Sequence, residues 1–141
     1  MSRIFFDTNL FIYFLEGVGP RGIRVQQLLE RMSARKDHLL TSTLTLGEVL
    51  VRPISLGDSV LVNRYEQALN DPAVALIPFD RDAGRIYARL RQDATLKPAD
   101  AIQLSCAAAA RCDLFVTNDD RLSRQILAGI QFIASLDKVP I

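Results

Sequence analysis

Apolar residues along the chain follow two patterns, short continuous runs and longer stretches at helical spacing, so strands and helices are predicted to alternate. Ile4-Phe5-Phe6 predicts a first strand. Asp7-Thr8-Asn9 follows as a capped turn, and Leu10, Phe11, Ile12, Phe14 and Leu15 carry a short helix up to Gly17. Beyond the punctuation of Pro20 and Gly22, Ile23, Val25, Leu28, Leu29 and Met32 predict a second helix reaching Arg35 and Lys36. Residues 38–42 read as a second strand and residues 43–51 as a helix ending near Pro53. A further helix is expected over 55–70, closed by Asp71-Pro72. Val74, Leu76, Ile77 and Phe79 mark a third strand, with helices over 80–94 and 98–111 after it. Residues 114–117 give a fourth strand, 120–127 a helix and 130–133 a last strand. Strands separated by helices, never joined by tight turns, form a mostly parallel sheet sandwiched by helices. The expectation is a three-layer α/β/α domain.

Composition narrows the class without naming a partner. At 141 residues the chain has the length of one domain, read here as 1–141 with no repeat, low-complexity tract or linker. Hydrophobic residues make up 49% and charged residues 23%, the balance of a folded chain. Its apolar runs, such as 10–15 and 107–110, fall far short of the roughly 18 residues of a membrane span. No signal-peptide region follows Met1, so a soluble cytoplasmic protein is expected. A helix through both Cys106 and Cys112 predicts two buried, reduced thiols. One histidine and two cysteines are too few for a His/Cys zinc site, so any metal is a hard cation held by oxygens. A net charge of +1 leaves nucleic acid open.

Twelve of the 16 acids are Asp, a poor helix former that belongs at caps, turns and sites. In an open α/β sheet the ligand crevice lies beyond the carboxyl ends of the strands, where Asp7 and Asp119 both fall. Each has a competing role as a helix cap, Asp119 sharing its own with Asp120. Glu48 lies among Leu44, Leu46, Val49, Leu50 and Val51, where a carboxylate needs a partner or a cation; Arg52 at i+4 is the alternative partner. Asp100 complements the dipole of the helix that Pro98 opens, and that helix continues nearly charge-free to Ala110, pointing its acid into the crevice. Acids gathered this way raise one another's pKa values unless a cation neutralises them. Oxygen ligands suit Mg²⁺ or Mn²⁺, and such a centre supports in-line hydrolysis of a phosphodiester without a protein nucleophile. No nucleophile elbow or Gly-rich phosphate loop offers another chemistry.

Four segments then carry a resemblance. Phe5-Phe6-Asp7-Thr8-Asn9, Thr41-Ser42 leading to Leu46-Gly47-Glu48-Val49, Leu96 to Leu104 around Asp100, and Leu114-Phe115-Val116-Thr117-Asn118-Asp119 resemble the successive motifs of the PIN-domain ribonucleases, especially the VapC-type toxins of prokaryotic toxin–antitoxin pairs. The resemblance spans the whole chain and implies a parallel sheet of about five strands. It implies that Asp7, Glu48, Asp100 and Asp119 bind Mg²⁺ or Mn²⁺, with Thr8, Asn9, Thr117 and Asn118 orienting the acids or a water. It also implies an RNA substrate, a homodimer and a small antitoxin whose tail enters the acidic groove. Gln103 departs from the pattern, standing where many relatives carry histidine, so an accessory contact is expected to be missing. Of the neighbouring Asp119 and Asp120, Asp119 matches the family's Thr-x-Asp spacing.

Arg121 and Arg124, just after the last acid, are placed to meet RNA phosphates. Arg81, Arg85 and Arg89 share a helical face with Arg91 nearby, and read first as a solvated stripe paired in part with Asp82 and Asp93. Two rivals stand beside the nuclease. A haloacid-dehalogenase-like phosphohydrolase needs an acid where Asn9 stands and gives Glu48 no role. A catalytically silent RNA- or protein-binding domain would gain, as a surface for a polyanion, from losing the four acids.

Overall fold

Three consecutive bulky apolar residues at positions 4–6 leave neither side of a strand suited to water, and that strand is central. The computed structural model describes residues 1–17 and 19–141. Its sheet is built from β1 (Arg3–Phe6), β2 (His38–Ser42), β3 (Val74–Ile77), β4 (Leu114–Thr117) and β5 (Phe132–Ser135). They lie in the order β3-β2-β1-β4-β5, every pairing parallel. Side chains alternate across it: Ile4 and Phe6 face one helical layer, while Phe5 faces the other and stacks on Phe115 with ring centres 5.1 Å apart.

The first layer holds α1 (Thr8–Glu16), α2 (Gly19–Arg35), α3 (Thr43–Ser55) and α4 (Ser59–Leu69), packed through Leu10, Val25, Val49 and Tyr65. The second holds α5 (Arg81–Leu90) and α6 (Pro98–Ala109), packed through Ala83, Leu104 and Ala107. This is the expected three-layer α/β/α architecture on five parallel strands. Among the described residues no helix is long and apolar enough to cross a membrane.

Several boundaries differ from expectation. α3 runs through Pro53 to Ser55; the ring is buried, and that packing offsets the roughly 3 kcal/mol that proline costs inside a helix. Gly57, at φ +66°, then turns the chain, and Asp58 accepts from the Leu61 amide at 3.1 Å, so α4 opens at Ser59 instead of position 55. α5 ends at Leu90, four residues early, where Asp93 folds a turn by accepting from the Thr95 amide at 2.9 Å. β3 stops before Phe79, β5 starts two residues late, and Cys112 lies beyond the end of α6. Both cysteines are free and buried, which pushes their thiols up to about 11 for Cys106 and about 12 for Cys112. The helix expected over 120–127 is only a 3-10 turn, Leu122–Arg124. Leu122 is buried but Ile126 is 98% exposed, so no apolar face holds a second turn.

Candidate active site

β1 and β4 end side by side, and the chain leaves both at the carboxyl edge of the sheet. The Asp7 amide extends their ladder by donating to the Val116 carbonyl at 3.0 Å. Asp7 is the N-cap of α1: Oδ1 accepts from the Thr8 amide at 2.8 Å and Oδ2 from the Thr117 hydroxyl at 2.9 Å. Capping and site roles therefore coincide in one side chain. Burial, with smaller contributions from the charges of Asp100 and Glu48, pushes Asp7 up to about 6, against the hydrogen bonds from Thr117 and Thr8.

Glu48, half-buried on α3, accepts from the Thr8 hydroxyl at 2.7 Å. Among the described residues it forms no ion pair with Arg52. Asp100 stands in the first turn of α6, and its carboxyl is raised by burial and by the charges of Asp119 and Glu48. No protein hydrogen bond reaches that carboxyl among the described residues. Asp119 is held differently: Arg121 Nη2 donates to it at 2.8 Å, Arg121 Nε at 3.2 Å and the Arg121 amide at 2.9 Å. That pairing keeps Asp119 below the usual carboxylate range. Asp120 is exposed. Arg124 is exposed as well and unpaired among the described residues, whereas Arg121 is engaged by Asp119.

The acids are coupled electrostatically, Asp100 and Glu48 raising Asp7 while Asp119 and Glu48 raise Asp100. Among the described residues no three of them stand close enough to clasp an ion unaided. The donor set still fits a hydrated hard cation, because Mg²⁺ keeps several waters and takes only one or two carboxylates directly. Asp7, raised chiefly by burial, and Asp100, whose carboxyl has no protein hydrogen bond among the described residues, are the side chains best disposed to such a cation.

Behind the acids lies a buried hydroxyl–amide network that reading the sequence missed. Gln103, 2% exposed, donates from Nε2 to Thr8 Oγ1 at 2.9 Å and to Thr45 Oγ1 at 2.8 Å, while Ser42 donates to its Oε1. Thr41 and Thr45 are bonded at 2.8 Å, and Thr41 donates to the Phe6 carbonyl at 2.8 Å. The expected loss of a contact at position 103 is therefore reversed, since the amide joins α6 to α1, α3 and the end of β2. A polar amide inside the apolar stretch 101–110 was the available signal, because burial demands partners for it. Asn9 and Asn118 lie at the rim, where Asn9 donates to Asn118 Oδ1 at 3.0 Å and Asn118 to the Tyr13 hydroxyl at 2.8 Å.

Comparison with known proteins agrees with this architecture. The family model of the PIN domain matches residues 4–125. No curated protein matches the chain. A toxin–antitoxin complex from Klebsiella pneumoniae is 26% identical, with a TM-score of 0.67 over 90% of this chain and 94% of that one. VapBC2 from Rickettsia felis, bound to a DNA fragment from its promoter, is 17% identical with a TM-score of 0.68, covering 94% and 97%. VapBC-5 from Mycobacterium tuberculosis, a toxin–antitoxin member, is 21% identical with a TM-score of 0.65, covering 94% and 98%.

Proposed function

The chain belongs to the PIN-domain family, and from that membership we propose that it is a Mg²⁺- or Mn²⁺-dependent endoribonuclease that hydrolyses RNA phosphodiester bonds. It acts as the toxin of a toxin–antitoxin pair, inhibiting translation in the cytoplasm, as a homodimer held inactive by a cognate antitoxin. The observation that supports the chemistry is the coupling of the acids, with Asp100 and Glu48 raising Asp7 and with Asp119 and Glu48 raising Asp100. The toxin role rests on the likeness to toxin–antitoxin complexes.

A divalent cation bound there supplies Lewis-acid stabilisation of charge developing on the phosphodiester and an acidified water. The chain's own contribution is placement. Thr117 and the Thr8 amide fix both oxygens of Asp7, Thr8 fixes Glu48, and the first turn of α6 presents Asp100. Arg121 orients Asp119 and keeps it ionised.

Cleavage of a mixed RNA pool tests the reading. The purified protein is expected to cut with Mg²⁺ or Mn²⁺ and to stop with chelator, and Asp100→Asn to lose on the order of 100-fold in rate. Cutting that persists in chelator, or at full rate in Asp100→Asn, contradicts it. Because Asp7 sits at about 6, cation binding releases a proton below that pH and none well above it. Cation affinity measured by calorimetry is therefore expected to rise about tenfold per pH unit approaching 6 and to level off above it.

A further inference from the structure

Away from the acids, a groove of about 580 Å³ lies where α5 meets the end of α6. Ile86, Ala109 and Gly129 line it together with Arg85, Arg89 and Arg111. Gly129 is required there: at φ +96°, a Cβ on it would lie 2.6 Å from the Ala108 carbonyl oxygen, so only glycine lets the loop press against α6. We propose that this groove binds the phosphate backbone of the single-stranded RNA flanking the scissile bond, with Arg85, Arg89 and Arg111 as its phosphate contacts. The inference rests on the RNA substrate proposed above and adds to it a site outside the acid centre.

Charge favours a polyanion. Asp82 is the one acid lining the groove; its pairing with Arg85, at 3.3 Å, is exposed on both sides and therefore weak. The guanidinium groups of Arg89 and Arg111 donate no hydrogen bond to protein and form no ion pair among the described residues. Arg85 and Arg89 lie one helical turn apart, about 6 Å along the axis. Planar guanidinium forks suit phosphate oxygens, and the absence of an aromatic platform favours backbone contact over base reading.

Arg111 adds an independent observation. It follows α6 at φ +53°, the left-handed position that helices commonly give to glycine. A long cationic side chain is kept there despite backbone strain. α6 itself links the two places, with Ala108 and Ala109 lining the groove at one end and Asp100 in its first turn at the other.

Binding is measured on the full chain with Asp100→Asn as background, in chelator, with a long single-stranded RNA across a salt series. Arg85→Ala with Arg89→Ala is expected to reduce the log–log salt slope by about 0.7 per arginine and to weaken binding roughly tenfold at low salt. Arg111→Gly is expected to weaken RNA binding while melting no lower than the parent, since glycine relieves the strain; this separates lost contact from lost folding. In the otherwise native protein these changes raise KM on the long strand, leave kcat unchanged, and leave trinucleotide cleavage alone. A native protein that cuts RNA while the variants keep its salt slope and KM overturns the groove alone. Variants that alter self-association or binding of an acidic polypeptide, with RNA binding intact, overturn it in favour of a protein partner. A native protein that neither cuts nor binds RNA removes the nuclease reading and the groove with it.

Discussion

Asp7→Asn is expected to abolish RNA cleavage and, in the same protein, to raise the stability of the cation-free fold. The loss follows from the position of Asp7, the acid that Thr117 and Thr8 hold by both oxygens at the end of β1. Removing its charge is expected to lower the rate by roughly a thousandfold. The gain follows from the carboxyl being pushed up to about 6. Its native pKa lies above the unfolded value, so the native state binds more protons between about 4 and about 6. Stability therefore falls as pH rises through that window, and the loss is complete above it. Asparagine carries no such penalty and is as good an N-cap. The gain at neutral pH is about 2 kcal/mol, allowing for solvent screening of a half-buried group, or on the order of 5 °C in Tm. Thermal melts of both proteins in chelator, from pH 4 to 8, check it. The two curves should meet near pH 4 and separate above it, and equal melting temperatures at neutral pH would refute the strained-carboxylate account.

The places where the sequence was legible share a physical reason. Ile4-Phe5-Phe6 had to be buried on both faces, which put β1 in the middle of a parallel sheet and Asp7 at its carboxyl edge. From there the crevice rule led to Asp119 as the second acid, and the helix opened by Pro98 led to Asp100 in its first turn. Pro53 misled because a local helix-breaking rule was overridden by burial of its ring, which no local pattern reports. The helix expected over 120–127 failed for the opposite reason: Leu122 is buried but Ile126 is exposed, so no continuous apolar face holds a second turn. Arg121 was read as a phosphate contact because nothing in a linear spacing shows that Asp119, two residues before it, holds the same guanidinium. Gln103 was read as an absence because it was compared with histidine, and its partners at positions 8, 42 and 45 come together only in the fold.

Gln103 also supports the sharpest test of how the acids are held. Its two amide protons go to Thr8 and Thr45, so the single proton of the Thr8 hydroxyl is directed toward Glu48. Gln103→Glu replaces that donor with an acceptor. The Thr8 proton is then drawn to position 103, Glu48 loses its 2.7 Å contact, and a carboxyl sits 2% exposed among hydroxyls. Destabilisation of about 3 kcal/mol is expected from burying the acid. Gln103→Leu separates folding from positioning. It leaves Ser42 without an acceptor and costs about 2 kcal/mol, but Thr8 remains free to donate to Glu48. Cation affinity in folded protein should therefore fall 10- to 100-fold in Gln103→Glu and much less in Gln103→Leu. Calorimetric titration with Mn²⁺ well below each variant's Tm reads the difference. Equal affinities in the two variants would mean that the network only supports the fold, whereas loss confined to the glutamate variant means that the amide sets the direction of the Thr8–Glu48 bond.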